Sequence, residues 1–359
     1  MLIFDCHLDI SMNAMQWNRD MTRPLEEIRQ REAHLTDFLD RGKGTVSLGE
    51  MRRGQIGLCV ATLIGRCTSE KAPLRMLMAY ESPEIAWGVT QGQLAWYREM
   101  ETQGQMRQIR DLASLREHVA LWQNDPPDDA PIGYILSLEG ADSILTPDHL
   151  QRSYDQGLRA IGLSHYGPGR YAGGTNSDTH LAPEGKRLLA EMERLGMIVD
   201  ATHLNDESFW EVLENFGGAI WASHQNCRAL VPGMRQFSDE QLRALIQRGA
   251  VMGMALDNWM LVPGWSRGKS TPEGSSVTLS SAVDHIDHIC QLAGNTRHCG
   301  IGTDLDGGFG REQCPTDLET IADLQKIPAM LTERGYSEED VQAIMHGNWL
   351  RFLEETWAK

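Results

Sequence analysis

The stretch LIFDCHLD, residues 2–9, is a short apolar run that closes on a histidine and a carboxylate, His7 and Asp9. Residues two apart on a strand project from one face, so a strand here would point both polar groups together at its end. Alone, this H-x-D reads more readily as the polar end of a surface strand than as a pair of metal ligands. Its weight comes from what recurs downstream. Seven further apolar, β-branched runs follow: IGLCVATLI (56–64), IGYILSLE (132–139), RAIGLSH (159–165), MIVDATH (197–203), AIWASH (219–224), AVMGMAL (250–256) and CGIGTD (299–304). Stretches with helical periodicity separate them, which is the pattern of repeated βα units and a parallel sheet. Eight such units close a (β/α)8 TIM barrel. The rival, an open doubly wound sheet, normally brings a Gly-rich phosphate turn after an early strand, and here the second run leads into GRCTSE instead.

The intervening segments carry helix signals. Ser47 to Glu50 has capping-box spacing, Thr146-Pro147 starts a helix that runs towards Gly157, and Pro183 to Gly196 reads as a helix with a glycine stop. Ser238 and Ser337 begin two more. The long irregular stretches at about 65–90, 166–182 and 257–280 follow strands, which places them on the C-terminal rim of one barrel domain covering residues 1–359, where active sites of this fold lie. QNDPPDDAP, at 123–131, precedes a strand and reads as a solvated turn on the opposite face.

Composition limits the partners. With 33 Lys+Arg against 50 Asp+Glu, a net charge of −17 argues against nucleic acid and anionic membrane. Seven cysteines, scattered and without C-x-x-C spacing, indicate neither a disulfide framework nor a thiolate zinc site. With no secretory segment, spanning run or lipid-anchor signal, the expectation is a soluble, cytoplasmic protein.

Histidine and carboxylate residues close six of the eight runs: His7 and Asp9, Glu139, His165, His203, His224 and Asp304. Barrel closure would bring them to one rim. Imidazole and carboxylate suit zinc, manganese or iron. Five ligands, His7, Asp9, Glu139, His203 and His224, are too many for one open catalytic zinc and suit two metals bridged by Glu139. Such a pair activates a shared water and polarises a carbonyl, the chemistry of amide or ester hydrolysis.

DCHLD (5–9), SLEGAD (137–142), LSHYG (163–167), ATHL (201–204), SHQNCRAL (223–230), VDHIDHICQLAG (283–294), GIGTDLDGG (300–308) and GNWLRFLEE (347–355) together resemble the membrane (renal) dipeptidase family of the amidohydrolase superfamily. The match runs in order over nearly the whole chain. The resemblance implies a metal-dependent barrel with two zinc ions on the five residues above. It also implies Asp304 as the acid/base, His165 as the stabiliser of the oxyanion, and Arg235 as the group that binds the substrate's terminal carboxylate. A guanidinium fork matches a carboxylate bidentately, which supports that choice; Arg228 reads as structural. The implied substrate is a small dipeptide, including those with a C-terminal D-residue, and the implied assembly a homodimer. Lacking the secretory, anchor and disulfide features of the mammalian enzymes, the chain resembles a soluble bacterial type.

Two rivals stand beside this reading. Another amidohydrolase could act on N-acyl amino acids or lactones, since Arg235 could equally hold an N-acyl amino acid, although H-x-D and Glu139 replace the H-x-H and modified lysine common there. A barrel binding metal or ligand without catalysis should lack a ligand or the acid/base, and none is lost. His285 and His288, on a helical spacing, are set aside as outer-helix residues. Asp306 is expected in a supporting or turn role, Trp259 and Trp265 in packing, and Cys6 facing away from the ligands.

Overall fold

Strands buried on both faces need continuous apolar runs, and the runs found in the sequence become the wall of a barrel. A computed structural model describes residues 1–67, 78–124 and 126–358 of the chain. Its barrel strands are β1 Ile3–Leu8, β2 Ile56–Ile64, β3 Ile132–Glu139, β4 Leu158–Gly162, β5 Ile198–Asp200, β6 Ile220–Trp221, β7 Met252–Met254 and β8 Cys299–Ile301. Neighbouring strands pair in parallel, in the order β7-β8-β1-β2-β3-β4-β5-β6. A parallel bridge between Ala222 and Met252 joins the two ends, with Gly253 N donating to Ala222 O at 2.8 Å. The result is an eight-stranded α/β barrel. All nine residues of β2 are buried, as a strand enclosed on both faces requires.

The capping signals act where expected. Ser47 accepts from Glu50 N at the start of Leu48–Arg53, while Ser238 with Gln241 and Ser337 with Asp340 form reciprocal capping boxes. Helix Pro183–Arg194 stops just before Gly196, whose φ of 65° is the left-handed conformation of a helix end. The segment after Thr146 begins as a 3-10 turn, Pro147–His149, before the short helix Leu150–Asp155. The helix Asn348–Trp357 seals the barrel near the start of β8. There Trp349 is fully buried against Phe4 and Trp221, and its indole N–H donates to Ile301 O at 3.0 Å.

The later strands are shorter than the sequence suggests. β4, β5, β6 and β8 each stop three residues before the histidine or aspartate expected to end them. Buried carboxylates take over the backbone donors there. Asp5 Oδ1 accepts from His7 N and Thr303 N, and Asp200 Oδ1 accepts from Thr202 N and Ser223 N, so side-chain bonds replace the ladder. In β1 the ladder ends at Leu8, and Asp9 opens the helix Ile10–Met15 with φ −86°. The register against β2 also slips between Asp5 and Leu8. The turn into the helix, rather than same-face alternation, therefore places His7 beside Asp9. Of the three stretches read as loops, 65–90 is shorter than expected, because the helix Pro83–Thr102, capped by Ser82, begins inside it; residues 68–77 lie outside the described residues.

Candidate active site

Eight chain positions converge above the C-terminal ends of the strands. His7 lies within β1, Asp9 one residue beyond it, and Glu139 at the end of β3. His165, His203, His224 and Asp304 each stand three residues past their strands. His203 and Asp304 have φ of 69° and 60°, a left-handed conformation that is uncommon for residues with a Cβ and costs on the order of 1 kcal/mol each. The loops hold that strain so that two side chains turn inward.

Glu139 is the centre. Its Oε1 lies 3.6 Å from His7 Nε2, 3.7 Å from His165 Nε2, 3.3 Å from His203 Nε2 and 3.5 Å from His224 Nε2. His203 Nε2 and His224 Nε2 face each other at 3.1 Å, and His7 Nε2 lies 3.9 Å from Asp9 Oδ2 and 3.7 Å from Asp304 Oδ1. His7 Nε2 is buried with no hydrogen-bond partner. Ligands about 2.1 Å from a tetrahedral ion sit roughly 3.4 Å from one another, so these separations suit a set of metal ligands better than atoms bonded to each other. Two of the compact donor sets, His7 with Asp9 and Glu139, and Glu139 with His203 and His224, share Glu139; a third joins His7, His224 and Asp304.

The rings are aimed from behind. Ser223 Oγ lies 2.9 Å from His224 Nδ1 and 3.4 Å from His7 Nδ1, and Thr175 Oγ1 lies 3.2 Å from His203 Nδ1. With these three Nδ1 atoms engaged, the Nε2 atoms of His7, His203 and His224 are left pointing at the cluster, the arrangement by which outer partners fix imidazole orientation. Thr62 Oγ1 holds Asp9 Oδ1 in the same way. Glycines make room for this. A Cβ at Gly302 would meet Ser223 O at 1.8 Å, one at Gly253 the same oxygen at 1.9 Å, and one at Gly307 Asp304 Oδ1 at 2.0 Å.

Burial and close like charges shift the titration of the whole cluster. Burial pushes Glu139 up to about 7 against the pull of His7, and it holds Asp304 well above the carboxylate range, with Asp9 and Glu139 adding repulsion. Burial also drives His165, His203 and His224 well down, helped by Arg235 and neighbouring imidazoles. His7 goes the other way: burial lowers it, but Glu139, Asp9 and Asp304 together raise it to about 10. Divalent cations would relieve this crowding, because they let the carboxylates ionise and the imidazoles stay neutral.

Arg235 is buried, with Nη1 donating to Gln225 Oε1 and Nη2 to His224 O, both at 2.9 Å. It lines a cavity of about 590 Å³ together with Asp9, Glu139, His165, His203 and Asp304. The structure thus gathers all eight expected site residues. It also places those set aside. Arg228 forms a two-pronged pair with Asp206, His285 Nδ1 accepts from Cys227 N, and His288 pairs with Asp239. Asp306 accepts from Thr45 N and Val46 N, a turn-holding role, and Cys6 is buried in an apolar cluster with Phe4, Leu58 and Val60. Trp259 and Trp265, read as packing, line the cavity. Sequence reasoning missed Asp5, Asp200, Ser223, Thr62 and Thr175. The D-x-H of 5–7 and D-x-T of 200–202 were the available signals for the first two.

A sequence model of the membrane dipeptidase family, peptidase family M19, matches residues 1–358. The chain belongs to that family. An uncharacterized protein of Klebsiella pneumoniae, from the pqqA 5′ region, is 28% identical over 239 residues, 64% of this chain and 84% of its own. The dipeptidase tcpJ of Claviceps purpurea is 27% identical over 261 residues, 70% of this chain but 58% of its own, so the match spans less than two thirds of that relative. The solved structure of dipeptidase AC, an M19 metallopeptidase, superposes with a TM-score of 0.77 at 23% identity, covering 100% of this chain and 99% of its own. A Rhodobacter sphaeroides metallopeptidase, liganded with a phosphinate mimic of L-Ala-D-Ala, gives 0.75 at 23% identity over 99% of both chains. These two share the fold. Members of the membrane dipeptidase family are metallopeptidases, hydrolases of peptide bonds, so a divalent metal belongs with the donor sets described here. Among the described residues no helix is long and apolar enough to cross a membrane, whatever the family's name suggests.

Proposed function

We propose that the chain is a binuclear metallodipeptidase acting on small dipeptides, including those whose C-terminal residue is D. The observation that carries this reading is the single carboxylate oxygen of Glu139 within 3.3–3.7 Å of four imidazole nitrogens, shared by two donor sets. His7, Asp9 and Glu139 would hold one ion, and Glu139, His203 and His224 the other, with zinc the best match to such ligands. When bound, the pair supplies a water that ionises near neutral pH and a Lewis acid for the peptide carbonyl.

The remaining steps belong to the chain's own residues. Asp304 takes the proton of the attacking water on a carboxylate oxygen and delivers it to the departing nitrogen. His165, kept neutral by burial, donates an N–H to the oxygen that gains charge as the carbonyl becomes tetrahedral. Arg235 grips the terminal carboxylate, and its bonds to Gln225 and His224 O fix its position relative to the cluster. A C-terminal D-residue fits because the grip acts on the carboxylate rather than on the side chain, and the Rhodobacter relative holds a mimic of L-Ala-D-Ala. The reading includes one barrel domain, residence in the cytoplasm and a homodimer. Seven free cysteines suit a reducing compartment.

Metal content measured together with hydrolysis of dipeptides, N-acyl amino acids and lactones tests this. Two metals per chain and turnover of dipeptides are expected. Fewer than two metals, or no dipeptide turnover after metal is restored, refutes it, and preferential turnover of N-acyl amino acids moves the assignment to that class.

A further inference from the structure

The cavity above the cluster is not uniform. Besides the two main apolar clusters of the core there is a small separate one, made of Met12, Trp17 and Ile64 with Phe38 and Met78 packed against it. Trp17, Phe38, Ile64 and Met78 all line the cavity. Their arrangement is built rather than incidental. Trp17 and Phe38 stack with centroids 4.6 Å apart, and the Arg41 guanidinium lies over the Phe38 ring, 5.1 Å from its centroid. The charges among them are engaged with one another. Asp40 accepts from the Trp17 indole N–H at 3.0 Å and from Arg19 at 2.9 Å, while both oxygens of Asp37 accept from Arg41. What this side offers to the cavity is therefore mainly carbon.

Position around the ring says which part of a substrate meets it. Ile64 ends β2, and Arg235 follows β6, four steps away in a circle of eight strands and so directly opposite. Glu139 and its imidazoles lie between. A dipeptide with its carboxylate on Arg235 and its carbonyl over the cluster must extend its amino-side residue towards β1 and β2. We infer that this enzyme prefers dipeptides whose amino-terminal residue carries a large apolar or aromatic side chain, received by Trp17, Phe38, Ile64 and Met78. The inference rests on the dipeptidase reading and adds the substrate class to it. Arg66, two residues beyond the same strand and lining the same cavity, argues for an acidic side chain instead, and the test includes that case.

The metal-loaded enzyme is assayed with Phe-Ala, Leu-Ala, Gly-Ala, Asp-Ala and Ala-Phe. Burying an aromatic or leucine side chain should raise kcat/KM for Phe-Ala and Leu-Ala about 30-fold over Gly-Ala, while Ala-Phe shows no such gain. In Phe38→Ala the ratio of Phe-Ala to Gly-Ala should fall about tenfold, and in Phe38→Leu it should largely recover. A flat preference across the panel, Asp-Ala as the best substrate, or a ratio unchanged in a folded Phe38→Ala protein overturns the inference and leaves the dipeptidase reading intact. Absence of turnover with every dipeptide refutes that reading and this inference with it.

Discussion

Replacing Gly302 by alanine adds one methyl group at a position outside the cavity lining, yet the structure predicts a large loss of activity. Gly302 is not among the glycines with positive φ, so alanine meets no backbone penalty there, and the whole effect comes from contact. The new Cβ would lie 1.8 Å from the Ser223 carbonyl oxygen, and the two must part by at least about 1.2 Å to reach the 3.0 Å below which real Cβ atoms are not found. Ser223 cannot retreat across the barrel, because its carbonyl already abuts Gly253, where a Cβ would lie only 1.9 Å away. Its displacement carries along the hydroxyl between His7 Nδ1 and His224 Nδ1, and His224 is the next residue. A misplacement near 1 Å in reacting groups costs about 100-fold in rate, and overpacking costs about 1–3 kcal/mol in stability. Steady-state kinetics, metal analysis and urea unfolding of Gly302→Ala measure these together. Gly88→Ala is the control, since a Cβ there meets nothing within 4 Å in the helix Pro83–Thr102. It should leave activity unchanged and add up to about 1 kcal/mol of stability. A Gly302→Ala enzyme with undiminished rate and metal content would refute the claim that Ser223 positions the two histidines.

Three further outcomes follow from the site and its surroundings. Asp304→Asn should lower kcat by a factor of about 10²–10⁴ while both metals remain bound; their loss would make Asp304 a ligand, which its grouping with His7 and His224 makes a real alternative. Arg235→Lys should raise KM for dipeptides about tenfold or more with a smaller change in kcat, because an ammonium cannot form the two-pronged contact; a changed kcat at constant KM would contradict a carboxylate-binding role. His285 is lowered to about 3, first by burial and then by His288, so the folded protein holds a neutral ring that the unfolded chain protonates below about pH 6.5. The unfolded state then binds the extra proton, so this stability is full above pH 6.5 and is lost as pH falls towards 3. Urea unfolding at pH 7 and pH 5 should show wild type losing about 2 kcal/mol more than His285→Asn, and equal losses would show that the histidine is not the cause.

The sequence announced the barrel most clearly where strands are long. The runs 56–64 and 132–139 coincide with β2 and β3, because a parallel strand enclosed on both faces must be apolar throughout. It was less informative at β5, β6 and β8, which are two or three residues long. There the apolar run continues, but Asp5 and Asp200 draw the backbone donors away from the ladder, and hydropathy does not register that exchange. Seven of the eight site residues were legible because each closes a run at the same end of a βα unit, whereas Arg235, eleven residues beyond His224, was reached only through the family resemblance. Ser223, Thr62 and Thr175 were not, since a hydroxyl that aims an imidazole looks in sequence like any other serine or threonine. The apolar wall was hidden for another reason: Trp17 and Phe38 belong to the irregular segment after β1, where no periodicity assigns a face.

β1 lies between β2 and β8, the second strand made and the last. During synthesis one edge of β1 therefore stays unpaired until β8 emerges, roughly 290 residues later, or about 15–60 s at ordinary elongation rates. His7 spends that interval on an open strand edge, while Asp304 does not yet exist. A ribosome-bound chain halted just after residue 224 would carry the five proposed metal ligands but no acid/base and an incomplete wall. The proposed acid/base joins the proposed ligands only when the final strand closes the ring.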